Sequence, residues 1–310
     1  MEHLPVMYEK ALQQLAIKDD GIYIDCTFGR GGHSQGILNL LGQNGKLLAF
    51  DRDSDAINSD YAQSMLMDQR FKLKHNRFSE LESIVAVEGM TEKIDGILVD
   101  LGVSSPQLDN SERGFSFLRD GPLDMRMDSQ KGTTAEQWLA NVAEKDLVKV
   151  LFDYGEERFA RRIARAIIEK RAQSPIATTR QLAQLITDAI PVRDMHKHPA
   201  TRTFQAIRIE INKELDELKA VLQQSTRVLR SGGRLVVISF HSLEDRIVKR
   251  FIREESGAKY NPGKLPIKEA DITKGILKKV GKALKASEQE VAENPRARSA
   301  IMRVAEKVKC

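Results

Sequence analysis

The sequence is 310 residues long, 41% hydrophobic and 30% charged, and its 49 Lys and Arg against 44 Asp and Glu give a formal net charge of +5 at pH 7. A chain of this size buries a sizeable core in one or two domains, and its mildly basic surface favours a polyanionic partner. Its only cysteines, Cys26 and Cys310, exclude a disulfide-rich secreted fold, and the lack of a signal-peptide pattern and of a membrane-spanning apolar run predicts a soluble, cytoplasmic protein.

The first hundred residues alternate short apolar runs with longer stretches of helical spacing. Strands are predicted where β-branched residues cluster, over 21–25, 46–51, 71–75 and 94–101. Helices are predicted between them, over 36–41, 55–67 and 79–88. This alternation implies right-handed crossovers, so it predicts an α/β fold with a doubly wound, mostly parallel sheet.

After the fourth predicted strand the pattern becomes almost entirely helical. Helices are predicted over 134–142, 145–154, 156–172 and 179–190. A longer helix over 203–230 is expected to stop at Ser231-Gly232-Gly233, before a strand at 234–240, and a last strand is expected within 298–304. Because strands resume there, we predict an all-α insertion at 111–202 within a discontinuous sheet domain formed by 1–110 and 203–310. The alternative is one large α/β domain with long excursions.

In a doubly wound sheet, ligands bind outside the carboxyl ends of the strands, so residues that follow different strands share one rim. The first of these loops, Asp25-Cys-Thr-Phe-Gly-Arg-Gly-Gly-His-Ser34, has glycines that admit a ligand close to the backbone, and a helix starts at once. Backbone N–H groups there suit a carboxylate or a phosphate. Asp51 lies 22 residues after Gly29, near the spacing at which an acid binds an adenosine ribose. These features predict an adenosine-containing cofactor.

The identity of that cofactor depends on residues that break the nicotinamide patterns. Ser34 stands where the dinucleotide fingerprint needs its third glycine. Tyr260 and Lys264 have the spacing of a dehydrogenase pair, but Pro262 and Gly263 between them would break the helical turn. S-adenosylmethionine has no phosphates, and its carboxylate, ribose and adenine match the first loop, Asp51 and Phe78.

The fourth strand leads into Asp100-Leu-Gly-Val-Ser104-Ser105-Pro106-Gln107. Enzymes that methylate exocyclic amines of bases commonly carry a Ser/Asp-Pro-Pro-aromatic motif here, and this loop lacks the second Pro and the aromatic residue. A simple Ser/Pro turn into the insertion is the alternative. Direct in-line transfer of the sulfonium methyl to the exocyclic amine is favoured over methylation at ring carbon five. Methylation at ring carbon five needs a Cys nucleophile after the fourth strand, whereas Cys26 lies in the cofactor loop.

Long ungapped motifs lie at 3–6 with Glu9, 25–34, 95–109 with 113–117 and 121–128, 238–246 and 294–299. They resemble those of the RsmH, or MraW, family of small-subunit (16S) rRNA cytosine-N4-methyltransferases. Cys26 stands where some relatives carry Gly or Ala. The resemblance implies a Rossmann-like class I methyltransferase domain that methylates a decoding-region cytosine in 16S rRNA of the small ribosomal subunit. It also implies S-adenosylmethionine contacts at Gly31, Gly32, His33, Asp51, Phe78, Asp100 and Gln107.

Asp100, Ser104, Ser105 and His241 are the candidate catalytic residues. His241 follows the fifth strand on the rim, where substrate contact is favoured over the alternative of holding a turn with Glu244. A basic stripe at Arg158, Arg161, Arg162 and Arg165 and a Lys-rich segment over 259–285 either face RNA or are solvated surface. His196 and His198 lack partners at ligand spacing, so no metal is expected.

A DNA amine methyltransferase and a dinucleotide-binding protein are the rival interpretations of the function. The sequence leaves the oligomeric state open.

Overall fold

The computed structural model describes residues 5–191, 198–258 and 275–308. Contacts between residues divide the chain into a sheet unit, Met1–Gly102 with Leu215–Cys310, and a helical unit, Val103–Glu214. Among the residues described, none of the helices has the length and apolar content needed to cross a membrane.

The sheet unit contains seven strands. They are β1 (Ile22–Asp25), β2 (Lys46–Asp51), β3 (Phe71–His75), β4 (Ile94–Asp100), β5 (Leu229–Ser239), β6 (Leu277–Lys285) and β7 (Ile301–Lys307). Their order in the sheet is β3-β2-β1-β4-β5-β7-β6. Strands β1 to β5 pair in parallel, and β7 runs antiparallel to both β5 and β6. The prediction of a doubly wound, mostly parallel α/β sheet is therefore confirmed.

Helices cover both faces of this sheet. They are α1 (Tyr8–Leu15), α2 (Gly32–Leu40), α3 (Ser54–Ile57), α4 (Asp60–Met65), α5 (Leu81–Val87), α12 (Glu214–Val228), α13 (Ser242–Arg253) and α14 (Glu288–Glu293). In the central strands, alternate residues enter different cores. In β2, Leu48 and Phe50 pack in one core and Leu47 and Ala49 in the other. Strands buried on both faces explain why the sequence shows continuous apolar runs.

The helical unit contains α6 (Ser105–Asp109), α7 (Ala135–Asn141), α8 (Glu144–Gly155), α9 (Ala160–Gln173), α10 (Thr179–Ala189) and α11 (Thr201–Asn212). These helices surround a hydrophobic core of their own. The unit extends beyond the expected bounds of 111 and 202, because α11 places Phe204 and Ile207 in that core and packs against α8. His198 also belongs here, with its ring stacked 4.4 Å from that of Phe117, centroid to centroid.

The single long helix predicted over 203–230 is wrong. It is two helices, α11 and α12, because Lys213 adopts a left-handed conformation with φ of 51° and ends the first. The expected stop at Ser231-Gly232-Gly233 is also wrong, since α12 ends at Val228 and these residues lie in β5. There Gly232 has φ of 79°, and the pairing with β4 shifts register.

The start of α9 and the presence of β6 also differ from the prediction, each for a physical reason. Helix α9 begins at Ala160 rather than 156, because Glu156 has φ of 49° and caps α8. Strand β6 was not predicted, since it is an edge strand whose exposed lysines hide any alternation, and lysines on an edge discourage pairing with another chain. His196, Tyr260, Lys264 and the Lys-rich residues 259–274 lie outside the described residues.

Candidate active site

The glycine-rich loop after β1 makes a tight turn into α2. The Gly31 N–H donates to the Phe28 carbonyl at 2.7 Å, and Gly31 has φ of 75°. A Cβ on Gly31 would come within 2.8 Å of the Phe28 ring, and one on Gly32 within 2.4 Å of Pro5 Cγ. These distances favour glycine at both positions.

Helix α2 begins at Gly32 with no side-chain cap, so its first-turn N–H groups suit an anionic ligand.

A buried carboxylate holds this loop from behind. Asp25 ends β1 and is fully buried, and its oxygens accept hydrogen bonds from Ser34 Oγ at 2.7 Å and from the Thr27 N–H at 3.1 Å. Burial raises the pKa of Asp25. The Thr27 hydroxyl oxygen in turn accepts the Asp100 N–H at 2.8 Å. The end of β1, the start of α2 and the end of β4 are thus joined by one network.

Asp51 stands at the end of β2 and contacts the same loop. Its Oδ2 accepts the Gly29 N–H at 2.7 Å, and its Oδ1 accepts the Asp53 N–H at 2.9 Å. Each carboxylate oxygen keeps a further lone pair that can accept a ligand hydroxyl. Burial raises the pKa of Asp51 to about 6, against the lowering effect of those two N–H donors.

The most distinctive feature of the rim is a set of buried polar atoms on His33 and Asp100 that lack hydrogen-bond partners among the described residues. His33 is only 5% exposed, and in the part of the chain that the structure describes neither of its ring nitrogens has a hydrogen-bond partner. Its Nε2 lies 3.6 Å from Asp100 Oδ2, while the buried Asp100 Oδ1 is also unpartnered. Each unsatisfied buried group costs about 1–3 kcal/mol, so such a cluster is typical of a surface that a ligand completes.

Phe78 and His241 follow β3 and β5 on the same rim. Phe78 begins a short 3-10 helix, Phe78–Glu80, and is half-buried. His241 caps α13: its Nδ1 accepts the Glu244 N–H at 3.4 Å, and Glu244 Oε2 accepts the Phe240 N–H at 2.8 Å. Holding this turn accounts for the position of His241, and its catalytic role stays a prediction.

Ser104, Ser105 and Gln107 belong to the helical unit. Ser104 immediately precedes α6, and its N–H donates to Gln107 Oε1 at 3.0 Å. Gln107 is buried, while both serines are half-buried. The Ser/Pro stretch therefore starts a helix, and its expected contacts with the cofactor and the base stay predictions.

Sequence reasoning missed three polar residues that shape this rim. The motif groups Asp25 and Thr27 with the glycine loop and assigns them no role of their own. An acidic residue at the end of a predicted buried strand is nevertheless a sequence signal that indicates a functional position. Ser239 ends β5 with its Oγ buried and unpartnered among the described residues. It lies inside the motif at 238–246, but no spacing distinguished it from its neighbours.

Comparisons with known proteins agree with the sequence motifs. Residues 1–308 match the model described as the MraW methylase family. The chain is 54% identical over 308 residues to the ribosomal RNA small subunit methyltransferase H of Alteromonas mediterranea, covering 99% of this chain and 98% of that one. It is 56% identical over 301 residues to the protein of the same name from Methylococcus capsulatus, covering 97% and 99%.

Solved structures resemble the chain more distantly. An rRNA methylase from Streptococcus thermophilus aligns with 100% of this chain and 99% of its own, at 13% identity and a TM-score of 0.40. That score is too low for a comparison of site geometry. The match along nearly the whole sequence confirms the resemblance seen in the motifs, and the chain belongs to the MraW methylase family.

Proposed function

We propose that this enzyme transfers a methyl group from S-adenosylmethionine to the exocyclic N4 amine of a cytosine in the decoding region of 16S rRNA, within the small ribosomal subunit. The observation that carries the proposal is the match of 53–56% identity to relatives named ribosomal RNA small subunit methyltransferase H. A ribosomal substrate would put the reaction in the cytoplasm. The sulfonium of S-adenosylmethionine already provides a good leaving group, a neutral thioether, so no metal is proposed.

The rim residues fit S-adenosylmethionine. The uncapped N-terminus of α2 at Gly32 suits the methionine carboxylate, and Asp51 has acceptor positions for the ribose hydroxyls. Phe78 offers an apolar face for the adenine. The unpartnered nitrogens of His33 and the Asp100 oxygen would gain hydrogen-bond partners when the site is filled.

The protein contributes mainly by positioning. Bound S-adenosylmethionine supplies an electrophilic methyl group. The cytosine amine is a poor nucleophile, because its lone pair is delocalised into the ring. Acceptors at Asp100, Ser104 and Ser105 would hold its N–H groups, localise the lone pair and aim it, and such positioning supplies up to about 7–11 kcal/mol. Transfer would form a C–N bond and break the C–S bond, whose electron pair stays with the departing thioether, S-adenosylhomocysteine. The methylated amine would then lose one proton to solvent, with no covalent enzyme intermediate.

The target base must be unstacked to reach these residues, at a cost of a few kcal/mol. Gln107 is proposed to contact the cofactor, and His241 to contact the base. The helical unit, with the bounds that its contacts define, is proposed to recognise the RNA. Each of these roles is separable by substitution, because the residues lie on different elements.

Nucleoside mass spectrometry tests the proposal. Small-subunit RNA from a strain that lacks the gene should contain one cytosine without its N4 methyl. Wild-type protein should restore the methyl, and Asp100→Ala should not. A lost methyl on ring carbon five, on a ribose oxygen or on DNA would show that the amine mechanism is wrong.

A further inference from the structure

A groove of about 650 Å³ runs between α9 and α10, entirely inside the helical unit. Arg161, Arg162 and Arg165 line it from α9 together with Glu169, and Leu185 and Asp188 line it from α10. The opposite face of α9 packs into the core of the unit through Ile163 and Ile167. The arginines are therefore held on a helix whose orientation is fixed by burial.

The arginines of the groove are exposed. Arg161 and Arg165 are four residues apart, so they lie on one row of the helix, with Arg162 beside them. Among the described residues, none of the three arginines forms an ion pair with a carboxylate. Arg158, the fourth member of the predicted stripe, precedes α9 and does not line the groove.

Helix stability does not explain these positions. Arg161 and Arg162 occupy the first turn of α9, where the helix dipole is positive and no acidic side chain is present. A cation there is unfavourable by about 0.3–1 kcal/mol. These three guanidinium groups have no ion pair among the described residues, and two of them stand at a helix end that disfavours cations. Such groups are suited to an external anion, and the planar fork of Arg matches phosphate oxygens.

We propose that the groove between α9 and α10 binds phosphates of the RNA backbone. This inference rests on the proposed function, which makes RNA the substrate. Backbone phosphates repeat along the chain, so they match a row of arginines better than a single phosphate does. Glu169 and Asp188 repel the same phosphates, so they limit how far a strand enters the groove.

The main experiment compares two triple variants of the full chain. Arg161→Ala/Arg162→Ala/Arg165→Ala removes three charges from the groove. Lys145→Ala/Lys149→Ala/Lys170→Ala removes three exposed charges of the same unit that do not line it. Binding of a fluorescently labelled transcript of the small-subunit RNA is measured by anisotropy over a range of salt concentrations, and thermal melting checks that both variants are folded.

The groove variant should show a weaker salt dependence than wild type. Each lost phosphate contact lowers the slope of log K against log salt by about 0.7 for single-stranded RNA, so three contacts predict a decrease of about 2. A fourfold rise in salt should then cost the wild type about 16-fold more affinity than the variant. The lysine variant should keep the wild-type slope. Equal slopes in all three proteins would overturn the proposal.

Kinetic measurements separate this inference from the proposed function. With saturating S-adenosylmethionine, the groove variant should have a raised KM for RNA with an unchanged kcat, and calorimetry should give the wild-type affinity for S-adenosylmethionine. A wild-type enzyme that methylates no RNA would instead refute the proposed function.

A second variant and a competitor identify the anion. Glu169→Gln/Asp188→Asn removes the two negative charges of the groove and should tighten RNA binding. If the groove instead bound a basic peptide through these two carboxylates, the same variant would bind that peptide more weakly. Inorganic phosphate at millimolar concentration should leave RNA binding unchanged. Displacement of RNA by phosphate alone would indicate a site for a single anion and would overturn the proposal.

Discussion

The raised pKa of Asp51 predicts that the affinity for S-adenosylmethionine depends on pH. Burial moves this pKa from 3.8 to about 6, so the carboxylate is ionised above that pH and neutral below it. The ionised carboxylate is the better acceptor for ribose hydroxyls. We therefore expect affinity to fall as the pH drops through about 6.

The size of the effect follows from the fraction of Asp51 that is ionised. If only the ionised form binds, the apparent Kd is multiplied by 1 + 10^(pKa − pH), which is about 11 at pH 5 and about 1.1 at pH 7 for a pKa of about 6. Asp51→Asn cannot titrate, so its Kd should be flat across this range. It should also be weaker than wild type at pH 8 by about 1.5–3 kcal/mol, the value of a hydrogen bond to a charged group.

Isothermal calorimetry at constant ionic strength, from about pH 5 to 8, measures both curves. Binding near pH 6 should also release about half a proton, because the bound state selects the carboxylate. Asp60→Asn, which removes an exposed carboxylate at the start of α4, is the matched control and should follow the wild-type curve. A flat wild-type curve, or an inflection that persists in Asp51→Asn, would refute the reasoning.

The same shift affects stability with a definite sign. Because the folded pKa of Asp51 is raised, its contribution to the free energy of unfolding is complete below about pH 3.8 and is lost as the pH rises through about 6. Chemical denaturation of wild type and Asp51→Asn across this window should show the loss in wild type only. Parallel curves would indicate that the carboxylate titrates near its ordinary pKa.

Three further predictions concern the loop after β1 and the residues at and after the end of β4. Gly32→Ala should lower stability by about 1–3 kcal/mol in denaturant unfolding, because its Cβ would overlap Pro5; an unchanged midpoint would show that this contact relaxes. Thr27→Val should cost about 1–3 kcal/mol by leaving the Asp100 N–H without an acceptor, while Thr27→Ser should not; equal losses would contradict the network. Asp100→Ala should weaken both cofactor binding and turnover, whereas Ser105→Ala should reduce mainly turnover in steady-state assays, and the reverse pattern would exchange their roles.

Sequence patterns predicted the sheet better than the helices, for physical reasons. The predicted bounds of β2 and β3 agree with the structure. Strand β2 is buried on both faces and is a continuous apolar run, while β3 lies at the edge of the sheet and alternates apolar residues with lysines. The break at Lys213 could not be predicted, because a left-handed lysine in a polar turn leaves no Gly or Pro signal. Nor could α11 be assigned to the helical unit, since its apolar stripe suits either core until packing is known.

The candidate site was predictable as a set of positions but not as a network. Parallel strands bring their carboxyl ends to one edge, which is why Asp51 and Asp100 were expected at the same rim. Which groups lack partners depends on side-chain packing, so the unpartnered atoms of His33 could only be found in the structure. The pKa of Asp51 likewise follows from burial that no spacing reveals.

One loop controls both acids of the rim through backbone contacts. The Gly29 N–H donates to Asp51, and the Asp100 N–H donates to the Thr27 hydroxyl of the same loop. Asp25 fixes that loop from a fully buried position, through Ser34 as well as Thr27. A shift of the loop would therefore move the proposed ribose acceptor, Asp51, and the proposed amine acceptor, Asp100, together. Cofactor affinity and turnover are expected to change in parallel when the loop is altered, and separately only when one acid is replaced alone.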